Sequence, residues 1–152
     1  ANRPVVAEAL RQAGVRMLVN ERQRLPAPHD DVTILGFDDP IRGEPKGELL
    51  AGMDGVRVLL MHAPDGLLAV GDEAFDVALC GHTHGGQIVV PGGAIPYLPH
   101  GELSRSYPGG SYRVGEDERG TLIVSRGVGC STVPVRLLCQ AEVHLITLSP
   151  SA

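Results

Sequence analysis

The stretch Asp76-Val77-Ala78-Leu79-Cys80-Gly81-His82-Thr83-His84-Gly85-Gly86-Gln87 decides how this sequence is read. Val77 to Cys80 is a short apolar run with the length of a buried strand. It leads directly into two imidazoles, one residue apart, in a glycine-framed loop. Imidazole binds borderline transition metals such as zinc, iron and manganese. In an extended backbone residues i and i+2 point to the same side, so His82 and His84 would face one ion or two adjacent ions. The flanking glycines let the main chain turn sharply and come close to a ligand. A polar turn after a strand is the competing interpretation. The preceding strand, the glycines and a third histidine upstream weigh against it.

That third histidine ends the strongest apolar run of the chain, Val56 to Met61, which is interrupted only by Arg57 and closes at His62. A continuous apolar run suits a central strand buried on both faces. Ligands of open α/β sheets bind outside the carboxyl ends of the strands. His62, His82 and His84 are therefore expected to converge as metal ligands.

Outward from these runs, Asn2-Arg3-Pro4 reads as a helix start. Val5, Val6, Ala9, Leu10 and Ala13 follow at helical spacing, and Gly14 reads as the stop. A strand is expected at Val15–Val19, a loop over residues 22–31, a strand from Val32 to Phe37, and a short helix near Glu48–Met53. Gln87–Val90, Tyr112–Val114, Thr121–Ser125 and Glu142–Leu148 read as antiparallel strands. Residues 91–111 form a long Gly/Pro-rich loop of the kind that is functional or mobile. Asp38 and Asp39 read as a loop cap or surface pair; His29, His100 and His144 have no motif around them. The class is α/β, and nothing divides residues 1–152 into more than one domain.

Composition narrows the function. Of 152 residues, 43% are apolar, too many for gross disorder. A net charge of −5 with scattered basic residues disfavours nucleic acid as a partner. No apolar run approaches the ~20 residues of a membrane span. Cys80, Cys130 and Cys139 lack Cys-x-x-Cys spacing, and an odd count fits a reducing, cytoplasmic compartment. Each is expected to be a small buried hydrophobe.

Leu60-Met61-His62-Ala63-Pro64-Asp65, followed by Cys80 to Ile88, resembles the last two metal motifs of the calcineurin-like metallophosphoesterases. The likeness is to the bacterial branch with a Gly-His-Thr-His-Gly-Gly-Gln loop. Val124 to Gly129, Val133-Pro134-Val135-Arg136 and Ala141-Glu142-Val143 are similar to the C-terminal part of that branch. The resemblance runs from about Pro4 to Leu148. It implies the C-terminal half of an αββα sandwich, a mixed sheet plus antiparallel strands. The family's Asp-x-His, Gly-Asp-x-x-Asp and Gly-Asn-His-Asp/Glu motifs do not occur in the chain. A partial domain is therefore expected, with the general acid histidine in the missing N-terminal part.

The resemblance further implies phosphoester or phosphodiester hydrolysis by a metal-activated hydroxide. The complete family site holds two ions (Mn, Fe or Zn), and at most one is expected here. His62 and His82 would hold one ion and His84 the other. Arg126 and Arg136 are candidate phosphate contacts. The substrate would be a phosphoester or pyrophosphate, small molecule or lipid. The branch includes membrane-associated enzymes acting on lipid-linked phosphodiesters, so a peripheral membrane location belongs to this expectation. The alternatives are a catalytically inactive metal-binding or interaction fragment and a mononuclear three-His hydrolase. A half-sandwich would leave an apolar sheet face open, to be covered by a second copy or by the missing N-terminal half.

Overall fold

The computed structural model describes residues 3–115, 118 and 120–149. The central apolar runs become strands β2 (Val32–Gly36), β3 (Val56–Leu60) and β4 (Val77–Cys80), with β1 (Glu21–Arg24) preceding them. β3 is parallel to both β2 and β4, in registers that set Leu59 between Leu35 and Ala78. All three side chains are fully buried. A strand paired on both edges has no main-chain groups left to hydrate, so an unbroken apolar run is stable there. β5 (Gly110–Val114) and β6 (Gly120–Val124) form an antiparallel hairpin whose second strand lies parallel to β4. The result is a six-stranded mixed sheet in the order β1-β2-β3-β4-β6-β5. The α/β class is as expected. The antiparallel hairpin extends this sheet, and among the described residues it builds no second one.

One face of the sheet carries the core. Leu35, Leu59, Leu122 and Val124 meet Leu50, Met53, Phe37 and Phe75 there, so the interior is mostly aliphatic, as the scarcity of aromatic residues requires. On the other face Leu60, Leu79 and Ile123 lie side by side across β3, β4 and β6 and are half-buried.

The strand expected at Val15–Val19 does not form, and the paired segment is Glu21–Arg24, inside the expected loop. The reason is steric. Leu18 crosses over Gly36 so closely that a Cβ on Gly36 would lie 2.4 Å from the Leu18 Cβ. The chain passes over the sheet at this point and cannot lie in its plane. Asn20 then turns it into the edge, with φ 51° and a side-chain oxygen that accepts the N–H groups of Asp38 and Lys46, each at 3.1 Å. β1 is charged along its length, as an exposed edge strand should be, so apolar alternation does not mark it.

The first helix, α1 (Arg3–Gln12), matches its expected span, and its Asn2 cap lies outside the described residues. Gly14 N–H reaches the Arg11 carbonyl and Val15 N–H the Leu10 carbonyl, both at 2.9 Å, which closes a Schellman end. The helix expected near Glu48–Met53 is a 3-10 turn, Gly47–Leu50. Gln87–Val90 contributes a single bridge, Ile88 to Leu137. Glu142–Leu148 joins no ladder, and Leu145 is 96% exposed. Alternation gives a strand a face but not a partner edge, and this segment meets none.

Candidate functional site

Because β2, β3, β4 and β6 run parallel, the residues that follow them meet along one edge of the sheet. The ladder continues past the strands. Phe37 N–H bonds the Leu60 carbonyl at 2.9 Å, Met61 N–H the Leu79 carbonyl at 2.9 Å, and Gly81 N–H the His62 carbonyl at 3.2 Å. The last of these holds His62 against the start of the histidine loop. The His62 and His82 rings come to 4.6 Å between centroids, tilted by 58°. Burial holds the His62 pKa below its usual value, as does the neighbouring His82; Asp39 opposes the shift, and His84 adds to it. The shift favours the neutral ring, the state in which an imidazole nitrogen can act as a ligand, although the residue itself stays exposed. Asp38 caps its loop by accepting the N–H groups of Asp39 at 2.8 Å and Glu44 at 3.2 Å. Asp39 also bonds within the loop, to Ile41 N–H at 2.9 Å, and in addition lies within electrostatic reach of His62.

The histidine loop is not extended. His82 (φ 71°), His84 (φ 51°), Gly85 (61°), Gly86 (76°) and Gln87 (57°) are all left-handed, with a right-handed Thr83 between the histidines. The same-side argument for residues i and i+2 therefore does not apply. Thr83 points inward instead and is fully buried. Its hydroxyl donates to the Pro108 carbonyl at 2.8 Å and accepts Gly85 N–H at 3.3 Å. Both histidines stay half-buried outside it. Gly86 has no alternative: a Cβ there would lie 2.2 Å from Ile95 Cγ2. A left-handed residue with a side chain costs roughly 1–2 kcal/mol, so a run of them persists only where the surroundings enforce it.

Several side chains enforce it. Gln87 is buried; its Oε1 accepts Ser131 N–H at 2.5 Å and the Ser131 hydroxyl at 3.1 Å, and its Nε2 donates to the carbonyls of Val133 at 2.8 Å and Val135 at 3.2 Å. His82 Nε2 lies 3.1 Å from the His100 carbonyl. A carbonyl only accepts, so Nε2 carries a proton, and in the neutral ring the lone pair is on Nδ1. The loop bearing His100 is tied down by the buried Asp65 carboxylate, which accepts the N–H of Glu102, that of Leu103 at 3.2 Å and the Ser104 hydroxyl at 3.4 Å. Thr83, Gln87 and Asp65 carry these tasks inside the motifs quoted above. His100 acts through its main chain, which no side-chain pattern reveals.

His84 differs from its neighbours. Its Nδ1 is buried without a hydrogen-bond partner, the one such side-chain atom among the described residues. An unpaired buried polar atom costs about 1–3 kcal/mol, which a ligand at that nitrogen would relieve. The donor chemistry thus suits a borderline divalent ion: one imidazole whose neutral form is favoured, one whose neutral ring has its lone pair on Nδ1, one with an orphaned nitrogen. The donor number does not. Among the described residues no group of three or more His, Cys, Asp or Glu is gathered to hold an ion. His62 and His82 are brought together; the three imidazoles share one sheet edge without closing on one point.

The remaining candidates have defined places. Cys80 is buried in the core, and burial together with the Asp65 charge pushes its thiol up to about 12, so it stays protonated as a small hydrophobe. Cys139 is also buried, whereas Cys130 is exposed, contrary to expectation, because it falls in the irregular segment after β6. Arg126 Nη1 pairs with Glu142 at 2.9 Å, and Arg126 N–H donates to the same carboxylate at 2.8 Å. The Arg136 guanidinium lies on main-chain carbonyls, His84's among them.

Glu142 makes the attachment of the tail pH-dependent. Burial raises its pKa, but the Arg126 N–H, the His144 hydrogen bond and the charges of both partners outweigh this, and the net shift is downward. With the folded value below the ordinary 4.5, the stabilisation is complete above pH 4.5 and is lost as pH falls through the lower folded value. The protection factor of the Arg126 amide, taken against its intrinsic exchange rate at each pH, should fall on acidification in the parent chain. Glu142→Gln should flatten that response, and an unchanged acid limb in the variant would disprove the linkage.

The chain is similar to the phosphodiesterase YaeI of Escherichia coli (strain K12), 33% identical over 144 residues that cover 95% of this chain and 51% of that protein. It is 36% identical over 121 residues to the uncharacterized metallophosphoesterase YkuE of Bacillus subtilis (strain 168), covering 77% of this chain and 40% of that protein. To the uncharacterized metallophosphoesterase YkoQ of the same organism it is 30% identical over 138 residues, with 88% and 49% covered. The chain therefore spans about half the length of the curated relatives it matches, and the match lies in their C-terminal part. No family model matches it, and no solved structure does. With a mixed sheet that carries a Gly-His-Thr-His-Gly-Gly-Gln loop at the carboxyl edge of its parallel strands, and with these relatives, the chain is similar to the C-terminal half of the calcineurin-like metallophosphoesterases.

Proposed function

We propose that the protein is a metal-dependent phosphodiesterase to which this chain contributes the imidazole side of the metal centre, through His62, His82 and His84. The observation that carries the reading is His84 Nδ1, buried and unpaired on a strained loop at the carboxyl edge of the sheet. A bound divalent ion would polarise phosphoryl oxygens and lower the pKa of water. The residues of the chain prepare for it. The neutral form of His62 is favoured, His82 is kept by the His100 carbonyl in the tautomer that frees Nδ1, and Thr83 and Gln87 hold the loop.

The finer substrate reading, a lipid-linked pyrophosphate met at the membrane surface, is supported by the resemblance of the histidine loop to the branch that acts on such compounds. No helix among the described residues is long and apolar enough to cross a membrane. A reducing compartment fits the three free cysteines. The apolar face around Leu60, Leu79 and Ile123 would be covered by an N-terminal half of the same domain or by a second copy of the chain.

The test is hydrolysis of bis-p-nitrophenyl phosphate with added manganese, run beside metal analysis of the purified chain. Turnover above a His84→Ala control with at most one ion bound is expected. Absence of both turnover and a bound ion would overturn the proposal.

A further inference from the structure

An arginine side chain usually ends in water or on a carboxylate. Arg136 ends on main-chain oxygen. Its Nη1 donates to the His84 carbonyl at 3.2 Å; its Nη2 reaches those of Arg126 at 2.6 Å, Gly127 at 3.2 Å and Gly129 at 2.6 Å; its Nε reaches Gly129 again at 3.2 Å. These carbonyls come from two separate segments, the histidine loop and the stretch after β6. A guanidinium carries its five N–H donors in one rigid plane, so it sets the direction of every carbonyl it holds. It also has no free pair of donors with which to grip a phosphate.

The His84 carbonyl is the significant one. It also accepts the Gln87 N–H at 3.1 Å and lies 3.3 Å from Cys139 Sγ, so Arg136 ties to the segment after β6 an oxygen that the loop itself already uses. Fixing this oxygen fixes the peptide plane between His84 and Gly85, and with it ψ of His84 and φ of Gly85. His84 is left-handed at φ 51° and its Nδ1 is buried and unpaired.

We infer that Arg136 is a positioning residue: by clamping the His84 carbonyl to the segment after β6, it fixes the peptide plane that follows His84 and so sets where the ring and its Nδ1 lie. The consequence for metal binding rests on the function proposed above; the effect on His84 does not.

Nitrogen-15 spectra of labelled histidine in the metal-free chain, with His84 assigned by its loss in His84→Gln, report the surroundings of each ring nitrogen and so respond when the ring is displaced. In Arg136→Lys, whose ammonium cannot span the same carbonyls, the His84 ring signals should move while those of His29 stay. Zinc affinity, measured by competition with a chelator, should fall about ten- to a hundredfold. Millimolar guanidinium should return the His84 signals of Arg136→Ala towards the parent positions. His84 signals unchanged in folded Arg136→Lys would overturn the inference. If Arg136→Lys does not fold, Arg136→Gln is read in the same way. Failure of both to fold would assign Arg136 to the fold as a whole and likewise overturn it. Displaced His84 signals with zinc affinity unaltered would leave the positioning role standing and take His84 Nδ1 out of the proposed metal site.

Discussion

Leu59→Ala is expected to lower the unfolding free energy by about 3–5 kcal/mol, the upper part of the range for buried leucines. The site explains why the upper part applies. Leu59 is fully buried on β3, with Leu35 in register on one side and Ala78 on the other. Ala78 is too small to swing into a void, and Leu122 beyond it is fixed in register on β6. β3 is hydrogen-bonded on both edges, so its backbone cannot sink into the gap, and the cavity stays open. Against a total stability of roughly 5–15 kcal/mol for a typical domain, this brings the chain close to unfolding. The measurement is a urea midpoint at unchanged slope. A loss below about 1 kcal/mol, the level of an ordinary substitution, would mean that β3 is not the central strand. Leu145→Ala, in the unpaired tail, is the natural comparison and should change stability by no more than about 0.5 kcal/mol.

The second large effect concerns activity. His84→Ala should lower manganese-dependent diester hydrolysis by about a hundred- to a thousandfold, because loss of a ligand forfeits several kcal/mol of charge stabilisation at 1.36 kcal/mol per tenfold in rate. Stability should respond differently. The substitution deletes an unpaired buried nitrogen worth about 1–3 kcal/mol, which offsets the packing lost with the ring. A thermal midpoint close to that of the parent, together with collapsed turnover, separates a ligand from a structural residue. Full turnover in His84→Ala would remove His84 from the site. A large fall in midpoint would place it in the framework instead.

Much of this arrangement could be read from the chain. The runs Val32–Phe37, Val56–Met61 and Val77–Cys80 announce the parallel strands because strands paired on both edges, with one face in the core and the other half-buried, are built mostly from apolar residues. The histidines follow where such strands end. What escaped the reading has physical causes. β1 is a charged edge whose position is set by Leu18 passing over Gly36, a contact between distant residues. Glu142–Leu148 alternates as a strand does, but its neighbours supply no free edge. Arg136 and His100 reach the histidine loop through main-chain carbonyls, and every residue type carries the same carbonyl. The left-handed run from His82 to Gln87 was hidden for a related reason: glycines advertised a turn, yet the histidines adopt the same backbone without glycine's freedom.

That backbone bears on how the chain would drift. At positions 82 and 84, with φ of 71° and 51°, glycine would be more comfortable than any L-residue by roughly 1 kcal/mol each. A lineage screened for thermal robustness alone should lose both imidazoles to glycine within few substitutions, and the fold would gain by it. A library of variants sorted for stability without reference to turnover should thus enrich the residues least able to bind a metal.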